Sequence, residues 1–149
     1  MRLIIDGDGS PVKETTIEVA KKFSLPVVIV TSIDHYSTKE YPEFVDFIYV
    51  DRGADSADFK IVSVIKPDDI LVTQDYGLAS LTLVKAAHVM HQSGMEYTAM
   101  NIDSLLTQRF IGSKMRQAKQ RTKGPRPFTN EDRTHFKKVL EDLISSDLL

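Results

Sequence analysis

The sequence predicts an α/β fold: three layers, with a mainly parallel central sheet, helices on both of its faces and a helical C-terminal extension. Two observations carry this. Short, continuous, β-branched runs, the pattern of strands buried on both faces, alternate with segments whose apolar residues recur at helical spacing. The connections between them are a few residues long, so each strand–helix–strand step is expected to cross over right-handedly to a parallel neighbour.

Residues 2–6 (RLIID) form the first such run and stop at an Asp-Gly turn. Ser10-Pro11 then offers a helix N-cap followed by proline at the first helical position, with Val12, Thr16, Val19, Ala20 and Phe23 on one face. The second strand is 26–31 (PVVIVT), followed by a polar, loop-like stretch over 32–43. Residues 47–50 (FIYV) make the third strand, and a helix over 56–65 places Ala57, Ile61, Val64 and Ile65 together. Lys66-Pro67-Asp68 breaks that helix; 69–73 (DILVT) is the fourth strand. A helix over 78–86 follows, with Leu78, Leu81 and Val84 or Lys85 spaced along it, and 87–91 is a weaker fifth strand. Gly124-Pro125-Arg126-Pro127 must be a stiff loop. Thr129 and Asp132 have the spacing of a capping box, opening a helix to about Ser145 with Phe136, Val139, Leu140 and Leu143 inward.

A chain of 149 residues, 42% hydrophobic, fits one domain, with an α/β core over 1–103 and a basic segment plus helix over 104–149. The absence of cysteine excludes a disulfide scaffold, thiolate metal sites and a cysteine nucleophile. No apolar run approaches the roughly 18 residues that would span a bilayer, and no signal-peptide pattern follows Met1, so a cytoplasmic protein without a membrane partner is expected.

Aspartate outnumbers glutamate, 14 to 7, and its placement is informative. In open α/β sheets ligands sit in the crevice outside the carboxyl ends of the strands. Asp6 closes the first strand with Asp8 two residues on, Asp51 closes the third, and Asp75 lies just past the fourth. Asp55 and Asp58 share a face at the start of the second crossover helix. If the first, third and fourth strands are neighbours, these acids converge. Two carboxylates about 4 Å apart repel by about 4 kcal/mol at an effective dielectric of 20, so such a cluster calls for a cation. Mg²⁺ or Mn²⁺ suits an all-oxygen donor set, and Mg²⁺ retains waters that can act as nucleophiles. The ordinary alternative for each acid is turn or N-cap chemistry, and Asp51 fits that alternative best.

The stretches Asp6-Gly7-Asp8-Gly9-Ser10-Pro11-Val12, Gly53-Ala54-Asp55-Ser56-Ala57-Asp58, Asp69-Ile70-Leu71-Val72-Thr73-Gln74-Asp75 with Leu78-Ala79, and Gly124-Pro125-Arg126-Pro127-Phe128 with Asp132-Arg133 resemble the YaiI/YqxD-like family of uncharacterised bacterial proteins. That family looks like a compact relative of the PIN-domain nucleases. The resemblance runs nearly end to end. It implies a PIN-like α/β/α fold, an acidic metal-binding centre and metal-dependent cleavage of RNA. The family commonly has cysteine before the proline where this chain has Ser10, which weakens any thiol mechanism and leaves a carboxylate mechanism untouched.

Residues 104–130 carry seven bases and no acid, leaving 12 bases against 21 acids elsewhere. Arg109, Lys114, Arg116, Lys119, Arg121, Lys123 and Arg126 are the candidate RNA-binding residues, although their spacing is not confined to one helical face and also suits a solvated arm. Phe110, Phe128 and Tyr97 could stack on bases or belong to the core. Lys13 and Lys85 face either the acidic centre or solvent. His88 and His91 point to opposite faces if they lie on a strand, which disfavours a shared metal.

The leading expectation is therefore a Mg²⁺- or Mn²⁺-dependent phosphodiesterase acting on RNA. Asp6, Asp8 and Asp75 would be catalytic, and Asp6, Asp8, Asp55, Asp58 and Asp75 would be metal ligands. Two alternatives stand beside it. Asp6-x-Asp8 after an apolar strand also resembles the haloacid-dehalogenase phosphatases, with Asp6 as nucleophile, Asp8 as acid/base and Thr31 as phosphate binder. The other is a non-catalytic RNA- or protein-binding module.

Overall fold

The computed structural model describes residues 1–53, 55–86, 88–117 and 127–148. In chain order the elements are β1 (Leu3–Asp6), α1 (Lys13–Phe23), β2 (Val27–Ser32), β3 (Val45–Val50), α2 (Ser56–Val64), β4 (Ile70–Val72), α3 (Tyr76–Thr82), β5 (His88–Met90), β6 (Glu96–Tyr97), α4 (Ile102–Gln117) and α5 (Asn130–Leu148). The six strands form one sheet in the order β3-β2-β1-β4-β5-β6. The first five are parallel, and β6 joins β5 antiparallel.

Strand alternation divides the core into two layers. Leu3 and Ile5 of β1, with Val27 and Ile29 of β2, face α1 and α5, where Val19, Ala20, Phe136 and Leu140 complete a buried cluster. Ile4, Val28 and Leu71 point the other way, against Ala57 and Ile61 of α2, Leu78 and Ala79 of α3 and the start of α4. The three-layer α/β/α arrangement expected from the sequence is what the chain adopts. Among the described residues no helix is long and apolar enough to cross a membrane.

Three expectations need correction, and one further helix was not anticipated. The third strand does not neighbour the first: β2 lies between them, because the first two crossovers run outward from β1 and the next returns across the sheet to place β4 on β1's other side. The helix expected over 78–86 starts at Tyr76, since the Asp75 carboxylate caps it, accepting from the Gly77 and Leu78 amides at 2.8 and 3.2 Å. Its buried face is therefore Leu78, Ala79 and Thr82, while Leu81 and Val84 stand 60% and 86% exposed. Ser10 does not cap α1: the first helical acceptor is the Val12 carbonyl, bonded by Thr16 N–H at 2.9 Å, and the Ser10 hydroxyl accepts the Val12 amide at 3.4 Å. Finally, residues 102–117 are helical. Ile102, Leu105 and Leu106 pack its first turns on the sheet, whereas Phe110, Ile111 and Met115 are exposed, so no clear amphipathic period marks it in the sequence.

The capping box of α5 is present. The Thr129 hydroxyl accepts the Asp132 amide, and the Asp132 carboxylate accepts the Thr129 amide, both at 3.1 Å. The Gly124-Pro125-Arg126 part of the expected stiff loop lies outside the described residues.

Candidate active site

The point at which successive crossovers leave in opposite directions lies between β1 and β4, and a crevice opens there at the strands' carboxyl ends. Ile5 pairs with Val72 as the last register pair, so the residues that follow, Asp6 and Thr73, stand side by side. The Thr73 hydroxyl donates to Asp6 Oδ2 at 2.8 Å and accepts the Asp75 amide at 3.0 Å. Thr73 is itself buried, and its carbonyl accepts the Tyr97 hydroxyl at 3.1 Å. Asp6 has the side-chain parity of Ile4 and so faces the α2 and α3 layer. That layer brings Asp58 from the first turn of α2 and Asp75 from the cap of α3.

Gly7 lets the chain leave β1 close over β2. Its amide bonds the Val30 carbonyl at 2.8 Å, and a Cβ there would meet Ile29 Cγ2 at 2.8 Å. Gly9, at φ +72°, then turns the chain in a conformation that other residues rarely adopt. Between them Asp8 is held outward over β2: its Oδ1 accepts the Thr31 hydroxyl and, at 3.0 Å, the Ser32 amide, with His35 Nε2 at 3.6 Å.

The result is a cavity of about 390 Å³ lined by Asp6, Asp8, Ala57, Asp58, Gln74, Asp75 and Tyr76. Burial pushes the Asp6 carboxyl up to about 6, helped by the neighbouring charges of Asp8 and Asp75 and opposed by the Thr73 hydrogen bond. Burial likewise pushes Asp58 up to about 6, with the charges of Asp75 and Asp6, a hydrogen bond to Asp75 and the charge of Asp55 all acting in the same direction. The surrounding carboxylates thus make Asp6 and Asp58 harder to ionise, the electrostatic setting in which a cation is favourable.

Of the five acids expected to converge, four line this cavity. Asp55 is exposed at the N-cap of α2 and does not line it. Asp51 is exposed beside a separate groove formed by β3 and α2. Among the described residues, no group of three or more histidine, aspartate or glutamate side chains is placed to grip one metal ion directly. The donors present, oxygens of Asp6, Asp58 and Asp75 with Asp8 beside them, fit a hard divalent ion that keeps much of its own water, as Mg²⁺ does.

The other candidates are dispersed. Lys114 is exposed, its ammonium 5.4 Å from the Phe110 ring centroid. Arg109 and Arg116 stand on α4, and Lys119, Arg121, Lys123 and Arg126 lie outside the described residues. Tyr97 is core; Phe128 is partly buried with Arg133 over its ring. Lys85 bonds the Val62 carbonyl at 3.3 Å, away from the acids. His88 pairs with Glu96 and Asp147, while His91 bonds Ser93. Thr73 is the site residue the sequence reading passed over, because a threonine after a strand is indistinguishable from ordinary β-branched strand content until its partner strand is known.

A family model described as "Uncharacterized BCR, YaiI/YqxD family" matches residues 4–146. A UPF0178 protein from Enterococcus faecalis is 60% identical over 148 residues, covering 99% of this chain and all of the relative. UPF0178 proteins from Bacillus cereus and Bacillus anthracis are 47% and 46% identical, each covering 97% of this chain and 99% of the relative. No solved structure matches the chain.

Proposed function

The chain belongs to the YaiI/YqxD family, and from that premise we propose that it is a Mg²⁺- or Mn²⁺-dependent phosphodiesterase, a PIN-like nuclease acting on RNA. The observation that supports this is the sharing of one cavity at the β1–β4 switch point by Asp6, Asp58 and Asp75, where burial and neighbouring carboxylates disfavour ionisation of Asp6 and Asp58. Asp6, Asp58 and Asp75 would hold the cation largely through its retained waters, with Asp8 at the same cavity wall; Asp55 is exposed and does not line the cavity. Once bound, the ion supplies Lewis-acid polarisation of a phosphoryl oxygen and a water of lowered pKa. The same carboxylates would orient a water of the ion for in-line attack on the phosphorus. Thr73 holds Asp6 in place, and the basic residues from Arg109 to Arg126 supply counter-charge for flanking phosphates.

The phosphatase alternative fares less well. Thr31, its phosphate binder, gives its hydroxyl to Asp8, and among the described residues no lysine lines the acidic cavity. The deciding experiment is single-turnover cleavage of RNA by a large excess of pure protein with Mn²⁺. We expect EDTA to abolish cleavage and Asp6→Asn or Asp58→Asn to slow it at least 100-fold. A trapped aspartyl-phosphate on Asp6 would replace this reading with the phosphatase. RNA binding that is insensitive to chelator, without cleavage by any preparation, would replace it with a binding module.

A further inference from the structure

The acidic cavity repels phosphates, so a polyanion must gain its binding energy beside it. A second cavity, of about 410 Å³, adjoins it on the α1 side of the sheet, lined by Lys13, Thr31, His35, Ser37, Lys39, Tyr41, Val45, Phe47 and Tyr49. Here β3 is the edge strand; Val45 is buried, whereas Phe47 and Tyr49 are only half-buried.

Four rings make a continuous surface. Phe47 and Tyr49 stack with centroids 5.6 Å apart and planes 9° from parallel, Tyr36 meets Tyr49 at 5.3 Å, and Tyr41 meets Phe47 at 4.8 Å. Tyr36 is 64% exposed. Cationic groups accompany the rings. Lys13 makes no ion pair among the described residues. Lys39 lies 5.2 Å from the Tyr41 centroid and, among the described residues, pairs only with exposed Glu14, a weak link that a phosphate could replace. The two cavities share a wall: Thr31 lines the aromatic one and is the register partner of Tyr49, while its hydroxyl bonds Asp8, which lines the acidic one.

We propose that this aromatic and lysine-bearing cavity binds a single strand of nucleic acid, with bases stacked on Tyr36, Tyr49 and Phe47 and phosphates on Lys13 and Lys39, feeding the strand over the Thr31–Asp8 wall. It rests on the nuclease reading for what happens beyond that wall, but binding itself does not. Bases must be unpaired to offer their faces to the rings, so single strands are preferred to duplex.

The test is fluorescence anisotropy in EDTA with end-labelled decamers of one sequence, as single-stranded RNA, single-stranded DNA and duplex. Either single strand should bind more tightly than duplex. Tyr49→Ala and Tyr36→Ala should each weaken binding roughly 10-fold, with Tyr49→Phe restoring it. Lys13→Gln should reduce the slope of log K against log salt by about 0.7, the value of one phosphate contact on a single strand. Circular dichroism melts check that each variant is folded. Folded Tyr49→Ala and Lys13→Gln proteins that bind with wild-type affinity and salt slope would overturn the proposal, as would a preference for duplex or no binding by the wild type. Cleavage with Mn²⁺ is scored separately. Weakened binding in the tyrosine variants together with no cleavage by any preparation upholds the surface and removes the nuclease. Metal-dependent cleavage with unaltered binding does the reverse.

Discussion

Thr73 ties Asp6 to Asp75: one hydroxyl donates to the Asp6 carboxylate at 2.8 Å and accepts the Asp75 backbone amide at 3.0 Å, linking the carboxyl ends of two neighbouring parallel strands. The link sets both the aim of Asp6 and the start of α3.

Thr73→Val keeps the shape and deletes the hydroxyl, leaving the Asp75 amide without that acceptor. The variant should be less stable by about 1–3 kcal/mol in urea denaturation. Because the Thr73 bond favours the ionised form of Asp6, its loss should also raise the Asp6 pKa, read by carboxyl-carbon NMR titration. A variant matching the wild type in both would make the link incidental.

Asp6 and Asp58 keep their protons up to about pH 6 in the folded chain, against 3.8 ordinarily. Between about pH 4 and 6 the native state then binds more protons than the unfolded state, so these groups make metal-free protein less stable as the pH rises through that window. Asp58→Asn should remove part of this fall. It should melt above the wild type at pH 7 in EDTA, by on the order of 1 kcal/mol after solvent screening, and lose that advantage near pH 4. An advantage that is the same at both pH values would show that Asp58 does not titrate as its surroundings dictate.

Divalent metal should invert that order. At a hundred times its dissociation constant, Mg²⁺ or Mn²⁺ should stabilise the wild type by roughly 2.7 kcal/mol and Asp58→Asn by much less. Asp58 is the better probe than Asp75, whose carboxylate also caps α3, so that its substitution mixes charge relief with changes at a helix cap. Identical melts with and without metal would remove the ion from the site.

At the opposite, amino-terminal end of the same two strands, Arg2 Nη2 meets Asp69 Oδ2 at 2.7 Å, and Arg2 Nε meets Oδ1 at 3.1 Å. Asp69 is fully buried and also accepts the Lys66 amide at 2.8 Å. Arg2→Ala leaves that carboxylate without its cation and should cost about 2–4 kcal/mol, less than for a fully buried pair because Arg2 is partly exposed. A loss below 1 kcal/mol would mean that backbone amides alone satisfy Asp69.

Much of this protein was legible residue by residue. The runs LIID, VVIV and ILV announce buried strands because such segments have no polar face to turn to solvent. Thr129 and Asp132 announce a helix start because a capping box closes within four residues. The acids' positions after strands were equally plain, since each depends only on where its own strand ends.

What the sequence could not determine is which strands touch. Asp6 and Asp75 meet because β4 docks beside β1, while Asp51, also beyond a strand end, is carried off with β3 on the far side of β2. Strand order follows from where each crossover helix packs across the sheet, a choice among long-range contacts that leaves no local periodicity. The same holds for Thr73, which joins the site only through its neighbour strand, and for the Tyr36–Tyr49–Phe47 surface, uncovered only because β3 is an edge. Local chemistry thus fixed the parts, and tertiary packing alone decided which of them share a cavity.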